Sequence, residues 1–169
     1  MIYGIYTLFP ARRLDWRLIQ LTTETDINKL VNPSINYLIY NTNKKIVVFN
    51  NYKTSKTYKQ QVFEITDTTL NELFDNYIKS NGLKTNNYLF SVKDDKRQVI
   101  QQSNFSQIIK NVFYKVYGEP ISVRFLRMSW ISRLYKSNPT VKEMKDLAHY
   151  MANSVDEQRK YNKVFKNKK

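Results

Sequence analysis

The chain has 169 residues, with 28 Lys and Arg against 14 Asp and Glu, for a formal net charge of +14. Hydrophobic residues make up 41% and aromatics 14%, enough for one domain with a real core and too many for a disordered tail. The lack of Cys excludes disulfides, thiol chemistry and Cys-based zinc sites, and a single His, His149, rules out a His-rich metal site. No apolar run approaches the roughly twenty residues of a membrane span, so no membrane partner is expected. A compact domain this basic points to a polyanion, most often nucleic acid.

In chain order, Pro10 suits the first turn of a helix over residues 11–20, with Leu14, Leu18 and Leu21 as its apolar stripe. Two β-rich runs follow, 37–40 and 45–49, separated by Asn41-Thr42-Asn43 as a hairpin. A third run, 61–65, comes after a polar, basic turn over residues 50–59. Asp67 is placed to cap a helix over 69–80, closed by Asn81-Gly82. Ser103 or Asn104 can cap another through Tyr117, ended by Gly118-Glu119-Pro120. From Ser122 onward the chain reads as successive helices with a break at Asn138-Pro139. The expected fold is α+β, one mostly helical domain over 1–169 with a small antiparallel three-stranded sheet.

Three basic clusters stand far apart: Arg12-Arg13, the run from Lys53 through Lys56 to Lys59, and Arg124 with Arg127. Read singly, each has a plainer account as helix-surface charge, a solvated turn or an ion-pair partner. Arg124 and Arg127 sit at i and i+3, one helical turn apart, where planar guanidinium donors suit a phosphate. Tyr161 lies in a polar segment further on, and a tyrosine is a nucleophile if its surroundings activate it. Arginines with a tyrosine point to phosphodiester chemistry without a metal.

In their order, these residues resemble the catalytic domain of tyrosine recombinases, the phage-integrase family, over nearly the whole chain. Pro10-Ala11-Arg12-Arg13-Leu14-Asp15 resembles the family's first arginine with an acid three residues on, Arg12 leading and Arg13 taking its place if the match slips by one. Tyr52-Lys53-Thr54-Ser55-Lys56 resembles the hairpin lysine, with Lys53 favoured over Lys56. Arg124-Phe125-Leu126-Arg127 resembles the His-x-x-Arg box, with arginine in place of histidine. Met151-Ala152-Asn153-Ser154 stands where a Gly-His-Ser-like element is expected, eight residues ahead of Tyr161 at its Asn153. The nearest flavour is that of recombinases in viruses and mobile elements of eukaryotic microbes.

The resemblance implies Tyr161 as nucleophile, Lys53 as general acid, and Arg12, Arg127 and Arg124 around the scissile phosphate. Asn153 or His149 would be the third donor; Asn153 can donate a hydrogen bond but cannot shuttle a proton, and His149 lies twelve residues before Tyr161, outside the family's usual spacing. Arg13, Lys56, Lys59 and Arg133 would contact DNA elsewhere. It further implies a 3′-phosphotyrosine intermediate, no cofactor, no metal and no ATP, double-stranded DNA as partner, and a homotetramer on that DNA inside a cell. The 162–169 tail, with Val164 and Phe165, would dock on a neighbouring subunit. A separate DNA-clamping domain usually precedes this part and is absent from the chain, as in an excised catalytic domain or a minimal relative.

Two readings compete. A non-catalytic basic nucleic-acid-binding module accounts for the charge and aromatics but not for the ordered Arg, Lys, Arg, Tyr series. A type IB topoisomerase shares the covalent chemistry and differs in product. A metal-dependent nuclease is disfavoured, because no tight carboxylate cluster appears in the sequence and the acidic pair Asp94-Asp95 sits between Lys93 and Lys96. Among other tyrosines, Tyr150 is the rival nucleophile.

Overall fold

The computed structural model describes residues 1–166, with side chains through Tyr161. Helices dominate: α1 (Ile2–Thr7), α2 (Ser55–Tyr58), α3 (Thr68–Ser80), α4 (Gln102–Tyr117), α5 (Val123–Lys136), α6 (Val141–Tyr150) and α7 (Val155–Lys166). The strands are β1 (Ile19–Thr22), β2 (Asn36–Ile39), β3 (Ile46–Phe49), β4 (Gln61–Glu64), β5 (Ser91–Val92) and β6 (Asp95–Val99). The fold is α+β, as expected.

The sheet departs from the expected three antiparallel strands. It has four, in the order β1-β2-β3-β4, with β1 parallel to β2 and the other pairs antiparallel; β5 and β6 form a separate ribbon. The helix expected over 11–20 is a short 3₁₀ turn, Asp15–Leu18, running straight into β1. Leu14, Leu18 and Leu21 imitate a helical stripe, but Ile19 and Leu21 alternate into the core as a strand does. That strand exists through pairing with β2, a non-local partner that local periodicity cannot reveal.

Period-2 alternation explains how the sheet divides two cores. Leu38, Val47 and Phe49 face the main core with Trp16, Phe74, Phe105 and Phe113. Their neighbours Ile39 and Val48 face the other way onto Leu30. On the main side Phe9 and Phe49 each meet Trp16 edge to face, with centroids 5.4 Å apart. Gly4 lets α1 lie close on α3, since a Cβ there would come within 2.6 Å of Leu73 Cδ1.

The helix ends follow their capping chemistry. The Asp67 carboxylate accepts from the Leu70 amide at 2.7 Å, and Ser122 caps α5 through the Phe125 amide. Thr140 and Glu143 form a reciprocal capping box at the start of α6, just after the break at Asn138, whose φ is 50°. Gly118 ends α4 in the left-handed region at φ 75°. Ser103 and Asn104 are not the caps of α4: Gln101 holds that position, without a side-chain cap bond. A third cluster, Ile131, Leu147 and Met151, joins α5, α6 and α7, with Tyr161 packed partly against it.

Candidate active site

One cleft of about 630 Å³ gathers the basic clusters that the sequence keeps apart. Arg13 comes from the segment before the 3₁₀ turn, Lys53 from the loop after β3, Arg124 and Arg127 from α5, and Tyr161 from α7. Arg13, Lys53 and Arg124 are exposed, whereas Arg127 is 3% exposed and forms part of the floor.

Arg127 is held by backbone carbonyls, with no carboxylate in an ion pair with it among the described residues. Its Nη1 donates to Ala11 O at 3.1 Å and to Met151 O at 2.9 Å. Among the described residues, its Nε and Nη2 have no hydrogen-bond partner. Burial, with Arg13 next, pulls this guanidinium down to about 10, while Tyr161 and Asp15 pull the other way. It therefore stays cationic at neutral pH. A buried cation with two unpartnered donors, on a residue that lines a basic cleft, is suited to an anion.

Arg12 does not share this position. It is fully buried and outside the cleft lining, with Nε donating to Asp15 Oδ2 at 2.9 Å and Nη1 to Gln61 Oε1 and Tyr150 O, each at 2.9 Å. Its guanidinium lies 3.9 Å from the centre of the Phe49 ring and 4.9 Å from that of Tyr52. Desolvation lowers its pKa and raises that of Asp15; each partner's charge opposes the shift of the other. Of the two candidates for the first arginine, the structure places Arg13 in the cleft lining and Arg12 in the core, where its Nη2 has no hydrogen-bond partner among the described residues.

The third-donor candidates also lie outside the lining. Asn153 is buried at the turn between α6 and α7, and both its amide atoms lack partners among the described residues. His149 is exposed, with Nδ1 3.1 Å from Gln61 Nε2. Lys56, Lys59 and Arg133 are exposed but do not line the cleft. Tyr150, the rival nucleophile, has its ring stacked on Phe63 at 4.7 Å and set edge-on to Phe9, a packing role. The side chains of the 162–169 tail lie outside the described residues, so its expected docking does too.

Sequence reasoning missed one wall. Gln102, Ser106 and Lys110 of α4 also line the cleft, as do Arg17 and Asn51. The signal was the spacing i, i+4, i+8, which puts those three on one helical face. Asn36, fully buried, pins the base of the Lys53 loop: its Oδ1 accepts from the amides of Asn50 and Asn51 at 2.9 and 2.7 Å. No group of His, Asp and Glu fit to hold a metal occurs among the described residues, nor is any helix among them long and apolar enough to cross a membrane.

The elements and this cleft make up an α+β fold. No protein-family model and no curated protein matches the sequence. Among solved structures, the chain is similar to XerA recombinase, seen in a crystal structure, with a TM-score of 0.61 at 12% identity. The alignment takes in 95% of this chain and 50% of that one, so the chain spans half the length of XerA recombinase. At that identity the likeness is one of fold.

Proposed function

We propose that this chain is a DNA strand-transferase domain that cleaves and rejoins double-stranded DNA through Tyr161. The observation that carries the reading is that Tyr161, Lys53, Arg13, Arg124 and Arg127 line one cleft. The fold shared with XerA recombinase supports it.

In the proposed reaction the Tyr161 oxygen attacks phosphorus as its proton leaves for solvent. A phosphorus–oxygen bond to tyrosine forms, and the bond to the 5′ oxygen breaks. Lys53 gives a proton to that departing oxygen, leaving a 3′-phosphotyrosine and a 5′-hydroxyl. Arg127, through its unpartnered Nε and Nη2, with Arg13 and Arg124 above it, stabilises the charge of the pentacoordinate transition state. A 5′-hydroxyl attacking the phosphotyrosine reverses each step, so rejoining needs no ATP. Strand exchange between two sites would require an assembly of several copies.

The experiment incubates the protein with nicked duplex oligonucleotides in EDTA and resolves the products on a denaturing gel. A protein–DNA adduct that disappears in Tyr161→Phe, with DNA affinity kept, supports the proposal. Tight binding without any adduct would favour a non-catalytic binding module. With supercoiled plasmid as a second substrate, relaxed circles from a monomer, without strand exchange, would point to topoisomerase action.

A further inference from the structure

The last carbonyls of a helix have no partners within it and are ordinarily left to water or a terminal turn. At the end of α6 and in the turn after it, four consecutive carbonyls, those of residues 149 to 152, also accept from side chains of distant elements. Gln61 Nε2 of β4 donates to His149 O at 3.0 Å, and Arg12 Nη1 to Tyr150 O at 2.9 Å. Arg127 Nη1 donates to Met151 O at 2.9 Å, and Thr54 Oγ1 to Ala152 O at 3.1 Å. Gln61 also accepts from Arg12 through its other amide atom, so two of the four grips are joined.

The turn they hold is a costly one. Ala152 sits at φ 50°, while its amide reaches His149 O and that of Asn153 reaches Ala148 O, a pattern that usually takes glycine. A left-handed alanine costs roughly 1–2 kcal/mol, so the surrounding contacts must over-determine it. Directly afterwards Ser154 caps α7 through the Glu157 amide. Tyr161 follows the first residue of α7 by six positions, roughly 9 Å along the axis at 1.5 Å per residue, so a small rotation at the turn moves its hydroxyl appreciably.

We infer that Thr54 and Gln61 are positioning residues: with Arg12 and Arg127 they clamp the α6–α7 turn, so that the loop bearing Lys53 and the helix bearing Tyr161 move as one body. Thr54 is the direct tie, since it is adjacent to Lys53 and bonded to the turn. The inference rests on the cleavage proposal for its kinetic consequence, but not for its structural one.

The test uses Thr54→Val, which keeps shape and loses the hydroxyl, beside Thr54→Ser, which keeps the hydroxyl. Thr54→Val should slow adduct formation about ten- to hundredfold by misplacing the nucleophile, with DNA affinity unchanged. Hydrogen exchange at the Ala152, Asn153 and Gln158 amides should rise about fivefold, the value of a bond worth about 1 kcal/mol, and elsewhere stay level. Thr54→Ser should restore both. Wild-type kinetics and exchange in Thr54→Val, or no rescue by serine, would overturn the inference. If the wild-type protein forms no adduct, the cleavage proposal falls by itself and the exchange measurement decides the clamp.

Discussion

Arg12 and Arg127 donate to consecutive carbonyls, Tyr150 O and Met151 O, yet the regions around them are built for opposite ends. Around Arg12 the cation is covered by Phe49 and Tyr52 and paired with the Asp15 carboxylate, with one nitrogen, Nη2, left unpartnered among the described residues. Around Arg127 no carboxylate makes an ion pair among the described residues, although Asp15 acts on it from the same cleft, two nitrogens are left unpartnered among those residues, and the side chain lines a basic cleft with Tyr161. Both are almost fully buried, so burial alone does not tell a structural arginine from one held ready for an anion. The difference lies in whether the guanidinium is bound directly to a carboxylate, as Arg12 is to Asp15.

The comparison breaks first at Arg12. Arg12→Ala should cost about 3–5 kcal/mol, because it strands Asp15 as an unpaired buried carboxylate. In a domain of this size that is a fall in melting temperature on the order of 10 °C, read by calorimetry. If melting is unchanged, the pair is not the structural keystone described. Arg127→Lys keeps a cation but loses the planar fork, and adduct formation should drop about 10²–10³-fold in single-turnover assays, as for loss of a preorganised donor. A rate within a few-fold of wild type would remove Arg127 from the phosphate.

Arg13→Ala sharpens the contrast between neighbours. It should leave melting within about 0.5 kcal/mol of wild type, as surface changes do, while slowing cleavage clearly. If Arg12→Ala and Arg13→Ala behaved alike, the assignment of one to the core and one to the cleft would be wrong. A smaller effect is expected on the α4 wall. Lys110→Ala should weaken DNA binding and lower the slope of log affinity against log salt by about 1, the signature of one lost phosphate contact. Arg133, outside the cleft lining, should show the least change.

Much of the architecture was legible because it is local. The caps at Asp67, the glycine ends after α3 and α4, the break at Asn138-Pro139 and the three strands β2 to β4 all follow from side chains acting on adjacent backbone. What escaped depends on distant partners. β1 needs β2 to exist, and the β5–β6 ribbon has too little apolar alternation in Asp95–Val99 to announce itself. At the site, motif order brought Arg13, Lys53, Arg124, Arg127 and Tyr161 forward as candidates. It could not choose between Arg12 and Arg13, because that choice turns on which side chain meets Phe49 and Asp15, a tertiary fact. Nor could it find the grips of Thr54 and Gln61, which act on backbone carbonyls nearly a hundred residues away.

The most direct measurement is to map the covalent adduct. The protein is trapped on nicked DNA, digested, and the nucleotide-bearing peptide sequenced by mass spectrometry. The account predicts the modification on Tyr161, which lines the cleft with Arg127, and none on Tyr52, which also lines it, or on Tyr150, whose ring packs on Phe63. An adduct on Tyr150 or any other residue would contradict it, since Tyr161 would then not be the nucleophile.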